Sequence, residues 1–253
     1  MFEDWARFED LPAPVDHGPV VGVPLAFSVH SLWPFYARWF AELGVRVQLS
    51  EKVIPQGVAK QESNYCFPAE IAHGAIQDLL DRGVDTLFLP HFRDMPSMEE
   101  GRVHACVCPL TQGLPYYARH AFGLRDDQIL APVVSFKHGW NASRAEFEAL
   151  AVRLGRSSEL GGFAYDAAIH HFQRFLEDYR ARGRELLEEI KAHPERQYVA
   201  LLGRPYNAFT KDANMGIPRK FTSRGVTVIP FDLIYDESAG IFQIGRASCR
   251  ERV

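Results

Sequence analysis

Three of the four cysteines stand in two short motifs that are well suited to carry chemistry. Cys66 lies in ESNYCFPAEIAHG, and Cys106 and Cys108 lie in VHACVCPLTQGLPYY. A proline closely follows Cys66 and Cys108, so a helix is expected to begin beside each of these thiols. Backbone N–H groups at a helix start favour a thiolate over a thiol and can hydrogen-bond cluster sulfides. The motifs therefore predict metal or cluster ligands, with buried structural cysteines as the alternative.

Other residues offer weaker signals. The separation of 42 positions between Cys66 and Cys108 is no standard zinc-finger spacing, which disfavours zinc. His73 follows on the Cys66 helix and could face the same pocket, although a buried, hydrogen-bonded histidine is the commoner outcome. In the loop from Gly203 to Asn207, Arg204 and Asn207 can donate hydrogen bonds to an anion or a cofactor, with a plain turn as the alternative. The sequence contains no Walker loop, GxGxxG, HExxH or GxSxG motif.

A repeated pattern predicts the elements that position these residues. An apolar helical segment, a glycine and an apolar β-branched run recur in order, with Gly44, Gly83 and Gly225 as the helix stops. Helix, stop and strand in repetition indicate parallel strands with crossover helices. The predicted strands are Val20–Pro24, Val45–Leu49, Thr86–Pro90, Ile129–Ser135, Gln197–Leu202 and Val226–Pro230. The predicted helices are Leu32–Leu43, Pro68–Arg82, Pro115–Phe122 and Gly216–Ser223.

The fold expected from this order is α/β, with two doubly wound (Rossmann- or flavodoxin-like) parallel-sheet domains joined by a helical segment. Within the helical segment, Gly161-Gly162 is expected to separate a short helix from a long one, and Gly183 to weaken the long one. The domain boundaries predicted are an N-terminal extension at 1–17, a first α/β domain at 18–140, a helical connector at 141–194 and a truncated second α/β domain at 195–243.

Ligands of open parallel sheets bind beyond the carboxyl ends of the strands. The segments selected by that rule include residues 51–68, 90–115 and 203–214, which hold Cys66, Cys106, Cys108 and the Arg204 loop. We therefore expect the Cys66 and Cys108 thiols to meet at one rim of the first sheet.

Composition excludes several classes of protein. The 253 residues are 47% apolar and 24% charged, as in ordinary soluble proteins, and the formal net charge is −4. No basic excess exists to neutralise a nucleic-acid backbone. The longest apolar stretch, residues 18–29, is too short to span a bilayer, and the N-terminus lacks the pattern of a signal peptide. A cytoplasmic location is expected.

The last ten residues, 244–253, differ in character from the rest of the chain. IGRASCRERV resembles the translation of a short-read sequencing adapter. We expect it to be a non-native tail and expect the native sequence to continue beyond residue 243.

Five segments together carry a resemblance to a known family. They are GVPLAF, LWPFYARWFAELG, ESNYCFPAEIAHGAIQDLLDRGVDTLFLP, CPLTQGLPYYARHAF and LLGRPYNAFTKDANMGIPRKF. Residues 20 to about 235 are similar to the domain of unknown function attached to, or encoded beside, the ATPase activators of 2-hydroxyacyl-CoA dehydratases. The resemblance implies an iron–sulfur protein that transfers electrons at low potential, with a [4Fe–4S] or double-cubane cluster and ATP hydrolysis by a partner.

Carried over residue by residue, the resemblance makes Cys66 and Cys108 two cluster ligands. It places the third family cysteine, in a Cys-Gly-Pro motif, beyond position 243, so the ligand set in this chain is incomplete. The residues expected to line the site are His73, Gln112, Gly203, Arg204 and Asn207.

The implied partners are an ATPase activator domain or subunit, an acyl-CoA-type substrate and further subunits of an oligomer, but no nucleic acid or membrane. The chain would be one component of an ATP-dependent reductase or dehydratase system, and no ATP site is visible in it. Leu25 and Glu70 stand where relatives usually have Arg and Lys, which predicts a lower cluster potential or a different partner surface. The alternative function is a non-catalytic ligand-binding or partner-docking module with structural cysteines.

Overall fold

The structure is a computed structural model, and it describes residues 20–62, 66–95 and 106–234. The predicted N-terminal extension at 1–17 and the predicted non-native tail at 244–253 lie outside the described residues.

The described strands form parallel sheets. In chain order they are β1 (Val20–Val23), β2 (Arg46–Leu49), β3 (Thr86–Phe88), β4 (His91–Asp94), β5 (Ile129–Leu130), β6 (Val133–Ser135), β7 (Tyr198–Leu201) and β8 (Thr227–Pro230). The first sheet has the order β2-β1-β3-β5, and every pairing in it is parallel. The connection direction therefore reverses at β1 and β3, as in flavodoxin-like folds. The α/β class predicted from the sequence is confirmed.

The strand predicted at Ile129–Ser135 is divided into β5 and β6. Pro132 lies between them and Pro90 lies between β3 and β4, and proline has no N–H to donate to a ladder. The Leu89 N–H still donates to the Leu130 carbonyl at 2.8 Å, so β4 and β6 continue the sheet beyond the interruption.

The four helices whose bounds were predicted begin and end within three residues of those positions, and the structure describes six more. In chain order the helices are α1 (Val29–Glu42), α2 (Pro55–Val58), α3 (Phe67–Asp81), α4 (Pro109–Gln112), α5 (Leu114–Phe122), α6 (Arg144–Arg153), α7 (Ser158–Ala192), α8 (Pro205–Ala208), α9 (Ile217–Thr222) and α10 (Phe231–Ile234). Gly44, Gly83 and Gly225 have φ of 60°, 72° and 76°. All three adopt the left-handed conformation predicted for helix stops.

Helices cover both faces of the first sheet. Phe88 and Leu130 belong to one apolar cluster with α1, α6 and α7, while their neighbours Leu87 and Ile129 belong to another with α3 and α5. Successive residues of a strand point to opposite faces, so the two clusters lie on opposite sides of the sheet. On the first side Phe35 of α1 packs edge-on against Phe147 and Tyr165, with ring centroids 5.1 and 5.4 Å apart.

The boundary predicted at Gly161-Gly162 is wrong. Both glycines lie inside α7, and the break between α6 and α7 comes earlier, at Gly155 with φ of 72° and at Ser157, which caps α7. A Cβ on Gly161 would overlap Ala151, so this glycine allows α6 and α7 to approach closely. The Gly161-Gly162 pair therefore marks a close contact between α6 and α7 rather than the end of a helix.

Gly183 also has a different role from the predicted one. α7 runs unbroken through it, and the residue is buried against the backbone of α10. α7 thereby supports α10, which in turn contacts β8, and β7 and β8 form a two-stranded parallel sheet. None of the helices in the described part of the chain combines the length and apolarity that crossing a membrane requires.

Candidate functional site

Cys66 occupies the position just before α3, at the carboxyl edge of the first sheet. Its backbone is extended, with φ of −161° and ψ of 145°, and Pro68 stands in the first turn of the helix. The thiol is half-buried, and the side chain packs against the apolar cluster beneath α3 and α5. It therefore remains partly accessible at the surface.

Cys108 occupies the equivalent position before α4. Two hydrogen bonds hold the segment that carries it. The Gln112 amide donates to the Val107 carbonyl at 2.8 Å, and the Val107 N–H donates to the Arg93 carbonyl at 2.9 Å. The Cys108 thiol is half-buried, whereas Cys106 is exposed. Gln112, expected to line the site, positions the chain next to Cys108 through its hydrogen bond to Val107.

Tyr117 of α5 lies close to both thiols. Burial raises the pKa of its phenol well above the usual range, and electrostatic interactions with Cys66, Cys108 and Tyr206 raise this pKa further. Its hydroxyl donates to the Leu110 carbonyl at 2.8 Å, which fixes the phenol against the start of α4. Two cysteines that are 42 positions apart thus share one neighbour.

His73 lies behind Tyr117 rather than beside the thiols. Its ring is 3% exposed and stacks on the Tyr117 ring, with centroids 5.4 Å apart and 14° between the planes. Its Nδ1–H donates to the Ala69 carbonyl at 2.8 Å. Burial lowers the pKa of His73, and the hydrogen bond to Ala69 opposes that shift. This is the buried, hydrogen-bonded histidine of the alternative interpretation.

The Arg204 loop reaches the same place from the other end of the chain. The guanidinium donates to the Tyr206 hydroxyl at 3.2 Å. This hydrogen bond and, to a smaller extent, the interaction with the nearby Cys108 thiol raise the pKa of Arg204. Gly203 and Asn207 are exposed, and the Asn207 N–H donates to the Arg204 carbonyl at 2.8 Å.

Phe27 supports this loop from the turn after β1. Its ring packs edge-on against Tyr206, with centroids 5.5 Å apart, and its φ is 46°. A non-glycine residue in the left-handed region is strained, and such strain persists only where the surroundings hold it. The turn lies at the β1/β3 reversal, where ligands of this fold class bind.

We call Cys66, Cys108, Tyr117, Arg204 and Tyr206 the two-thiol site. Two half-buried sulfur atoms beside a guanidinium and two phenols suit a soft metal or an iron–sulfur cluster, because thiolates are the ligands such centres prefer and a cation offsets their negative charge. Within the described ranges, no group of three or more His, Cys, Asp or Glu side chains is arranged to hold a metal ion.

Sequence reasoning missed both phenols of the site. Tyr117 lies three residues after Leu114 and one before Ala118, a spacing that looks like an ordinary core stripe. Tyr206 lies within the Arg204 loop but carries no signal of its own. Of the two departures from the family, Leu25 is half-buried after β1 and Glu70 is half-buried in the first turn of α3.

Comparison with known proteins identifies one family. A family model described as the CoA enzyme activase uncharacterised domain matches residues 20–234. No curated protein and no solved structure matches the chain.

Proposed function

Because the chain belongs to the family of the CoA enzyme activase uncharacterised domain, we propose that it is an iron–sulfur electron-transfer component of a 2-hydroxyacyl-CoA dehydratase-type system. In this proposal Cys66 and Cys108 bind the cluster, and the ATP-hydrolysing activator is another domain or subunit. The observation that carries the proposal is that both thiols interact electrostatically with Tyr117, each from the position before a helix at the same edge of the sheet.

The two-thiol site supplies part of the ligand set that such a centre needs. An iron–sulfur cluster of the [4Fe–4S] type is usually held by four cysteine thiolates, and the two-thiol site offers two. The remaining ligands would come from outside the described residues, and Cys106 is exposed two positions from Cys108. When bound, the cluster would supply one-electron chemistry at low potential.

The protein's own residues would tune that centre. Arg204 places its positive charge beside the Cys108 thiol. Charge and hydrogen bonds near cluster sulfurs shift the reduction potential of the cluster. The Tyr117 hydroxyl is committed to the Leu110 carbonyl, so its ring serves as a rigid wall rather than as a proton donor. The half-buried position of both thiols leaves a route for an electron donor from solvent.

Anaerobic production of the full chain and of its cysteine variants tests the proposal. Iron and acid-labile sulfide are measured in the wild type, Cys66→Ala, Cys108→Ala and, as a control, Cys106→Ala. We expect iron and sulfide in the wild type and their loss in the first two variants. Absence of iron from all four proteins, or equal iron in the wild type and Cys66→Ala, would overturn the proposal.

One observation favours the alternative, a non-catalytic docking module with structural cysteines. Cys66 packs against the apolar cluster beneath α3 and α5, as a small core residue would. Low thiol reactivity of the apo-protein, together with full stability of Cys108→Ser and unimpaired activator function in cells, would support this second function.

A further inference from the structure

A cavity opens at the carboxyl edge of the first sheet, and none of its lining residues belongs to the two-thiol site. Its volume is about 670 Å³, which suits a metabolite-sized ligand. One wall comes from the segments that follow β1 and β2, and the other comes from the segment between α8 and α9. The lining residues used below are Leu25, Ser50, Lys52, Phe209, Lys211 and Arg219.

Positive charge dominates the rim of this cavity. Lys52, Lys211 and Arg219 are exposed, and none of them makes an ion pair with another residue in the described ranges. Of the two carboxylates that line the cavity, Glu51 is engaged by Arg82 at 3.0 Å, which leaves Asp212. Three cations therefore face one uncompensated carboxylate.

The floor of the cavity contributes a hydrogen-bond donor. Ser50 is 7% exposed, and its oxygen accepts from the Leu25 N–H at 2.9 Å. The Ser50 hydroxyl proton has no acceptor among the residues that the structure describes. A buried hydroxyl is ordinarily hydrogen-bonded, so a ligand oxygen in the cavity would complete this group.

Apolar side chains form part of the remaining wall, from Leu25 and Val53 on one side to Phe209 and Pro218 on the other. Such a wall adds nothing to the binding of a bare ion. It suits the organic part of a larger ligand, because burying apolar surface is favourable.

We propose that this cavity binds an organic phosphate, with its phosphate at Lys52, Lys211 and Arg219 and its organic part against Leu25 and Phe209. Phosphate suits the site because it carries more negative charge and more acceptor oxygens than a carboxylate, and the rim offers several cations and a hydroxyl donor. The proposal does not rest on the two-thiol site, since it concerns different side chains and needs no metal.

Calorimetric titration of the full chain with ADP and with ribose 5-phosphate tests the proposal, at low salt. The double variant Lys52→Gln/Lys211→Gln removes two rim charges. Lys220→Gln is the matched control, because Lys220 is exposed beside Arg219 on α9 but does not line the cavity. We expect at least one probe to bind the wild type and the control equally. Its affinity should fall about tenfold or more in the double variant, as charged hydrogen bonds are lost.

The result that would overturn the proposal is equally specific. Failure of both probes to bind below millimolar concentration would remove it, and so would equal affinity in the wild type and the double variant. Inorganic phosphate and adenosine serve as separate arms. Binding of inorganic phosphate as tightly as ADP and ribose 5-phosphate would show that the apolar wall contributes nothing, and would also overturn the assignment.

Discussion

His73 and Tyr117 stack face to face, with ring centroids 5.4 Å apart, and this contact joins α3 to α5. The two helices lie next to the two cysteine motifs, since Cys66 precedes α3 and Cys108 precedes α4, which leads directly into α5. The stack therefore holds together the helices that follow the two cysteine motifs. It also explains why a histidine near a predicted metal site is buried, with its Nδ1–H committed to the backbone.

The interaction of Tyr117 with both Cys66 and Cys108 predicts that one short reagent can join the two thiols. Dibromobimane becomes fluorescent when it alkylates two thiols, and we expect the apo-protein to develop this fluorescence. Cys66→Ser should abolish it, whereas Cys106→Ser should leave it unchanged, because Cys106 is exposed and is not among the neighbours of Tyr117. Loss of fluorescence in Cys106→Ser but not in Cys66→Ser would instead mean that Cys106 and Cys108 react with each other.

The Arg204 guanidinium should make Cys108 more reactive towards an anionic reagent. Because a positive charge attracts anions, Arg204→Gln is expected to slow the alkylation of Cys108 by iodoacetate about two- to tenfold at low salt. The rate is read by mass spectrometry in a Cys106→Ser background, so that the modified peptide reports Cys108 alone. Arg196→Gln removes an exposed arginine that lacks a contact with Cys108 and is the control. Equal rates in all three proteins would show that Arg204 does not act on the thiol.

Much of the frame that holds the candidate site could be predicted from local pattern. Gly44, Gly83 and Gly225 end helices because they adopt a left-handed backbone, and the apolar runs after them form parallel strands. The burial expected of these strands holds for β3, whereas β2 and β8 are mostly half-buried. The positions of Cys66 and Cys108 before helices follow from the prolines beside them. These features depend on residues that are close in sequence.

The features that could not be predicted depend on residues far apart in the chain. Tyr117 has the spacing of a core residue, and only the tertiary fold places its phenol beside two thiols. Gly183 looks like a weak point in a helix until α10 is packed against it. The walls of the cavity come from segments more than 150 residues apart, such as Ser50 and Lys211, so no local pattern indicates it.

Partial burial of His30 in the cavity wall predicts a pH-dependent stability. Desolvation lowers the pKa of His30 from 6.5 to about 4, against the opposing hydrogen bond from its Nε2 to the Leu25 carbonyl. Between these values the unfolded chain binds a proton that the folded chain does not, so acidification from pH 6.5 towards 4 destabilises the fold. The expected contribution is about 1 kcal/mol per pH unit. The other charged groups that line this cavity are Glu51, Lys52, Lys211, Asp212 and Arg219.

Urea denaturation of the wild type and of His30→Gln at several pH values isolates this contribution. The free energy of unfolding of His30→Gln should fall less steeply between pH 6.5 and about 4 than that of the wild type. His138→Gln removes an exposed histidine and should retain the slope of the wild type. Parallel curves for the wild type and His30→Gln would rule out a neutral, buried His30.

Because Gly183 has no side chain, α10 can pack directly against α7, and this contact is expected to hold the last described elements in place. A Cβ at this position would overlap the Leu233 carbonyl of α10, which is backbone and cannot rotate away. Gly183→Ala should therefore cost about 1–3 kcal/mol, although alanine favours an isolated helix by about 1 kcal/mol over glycine. The matched control is Gly162→Ala on the same helix, because the atoms nearest to a Cβ there are the ends of the Arg144 and Glu148 side chains, which can move. Limited proteolysis should show faster cleavage within residues 195–234 in Gly183→Ala, with residues 20–153 as resistant as in the wild type. Equal protection in Gly183→Ala and the wild type would mean that α10 does not depend on this contact.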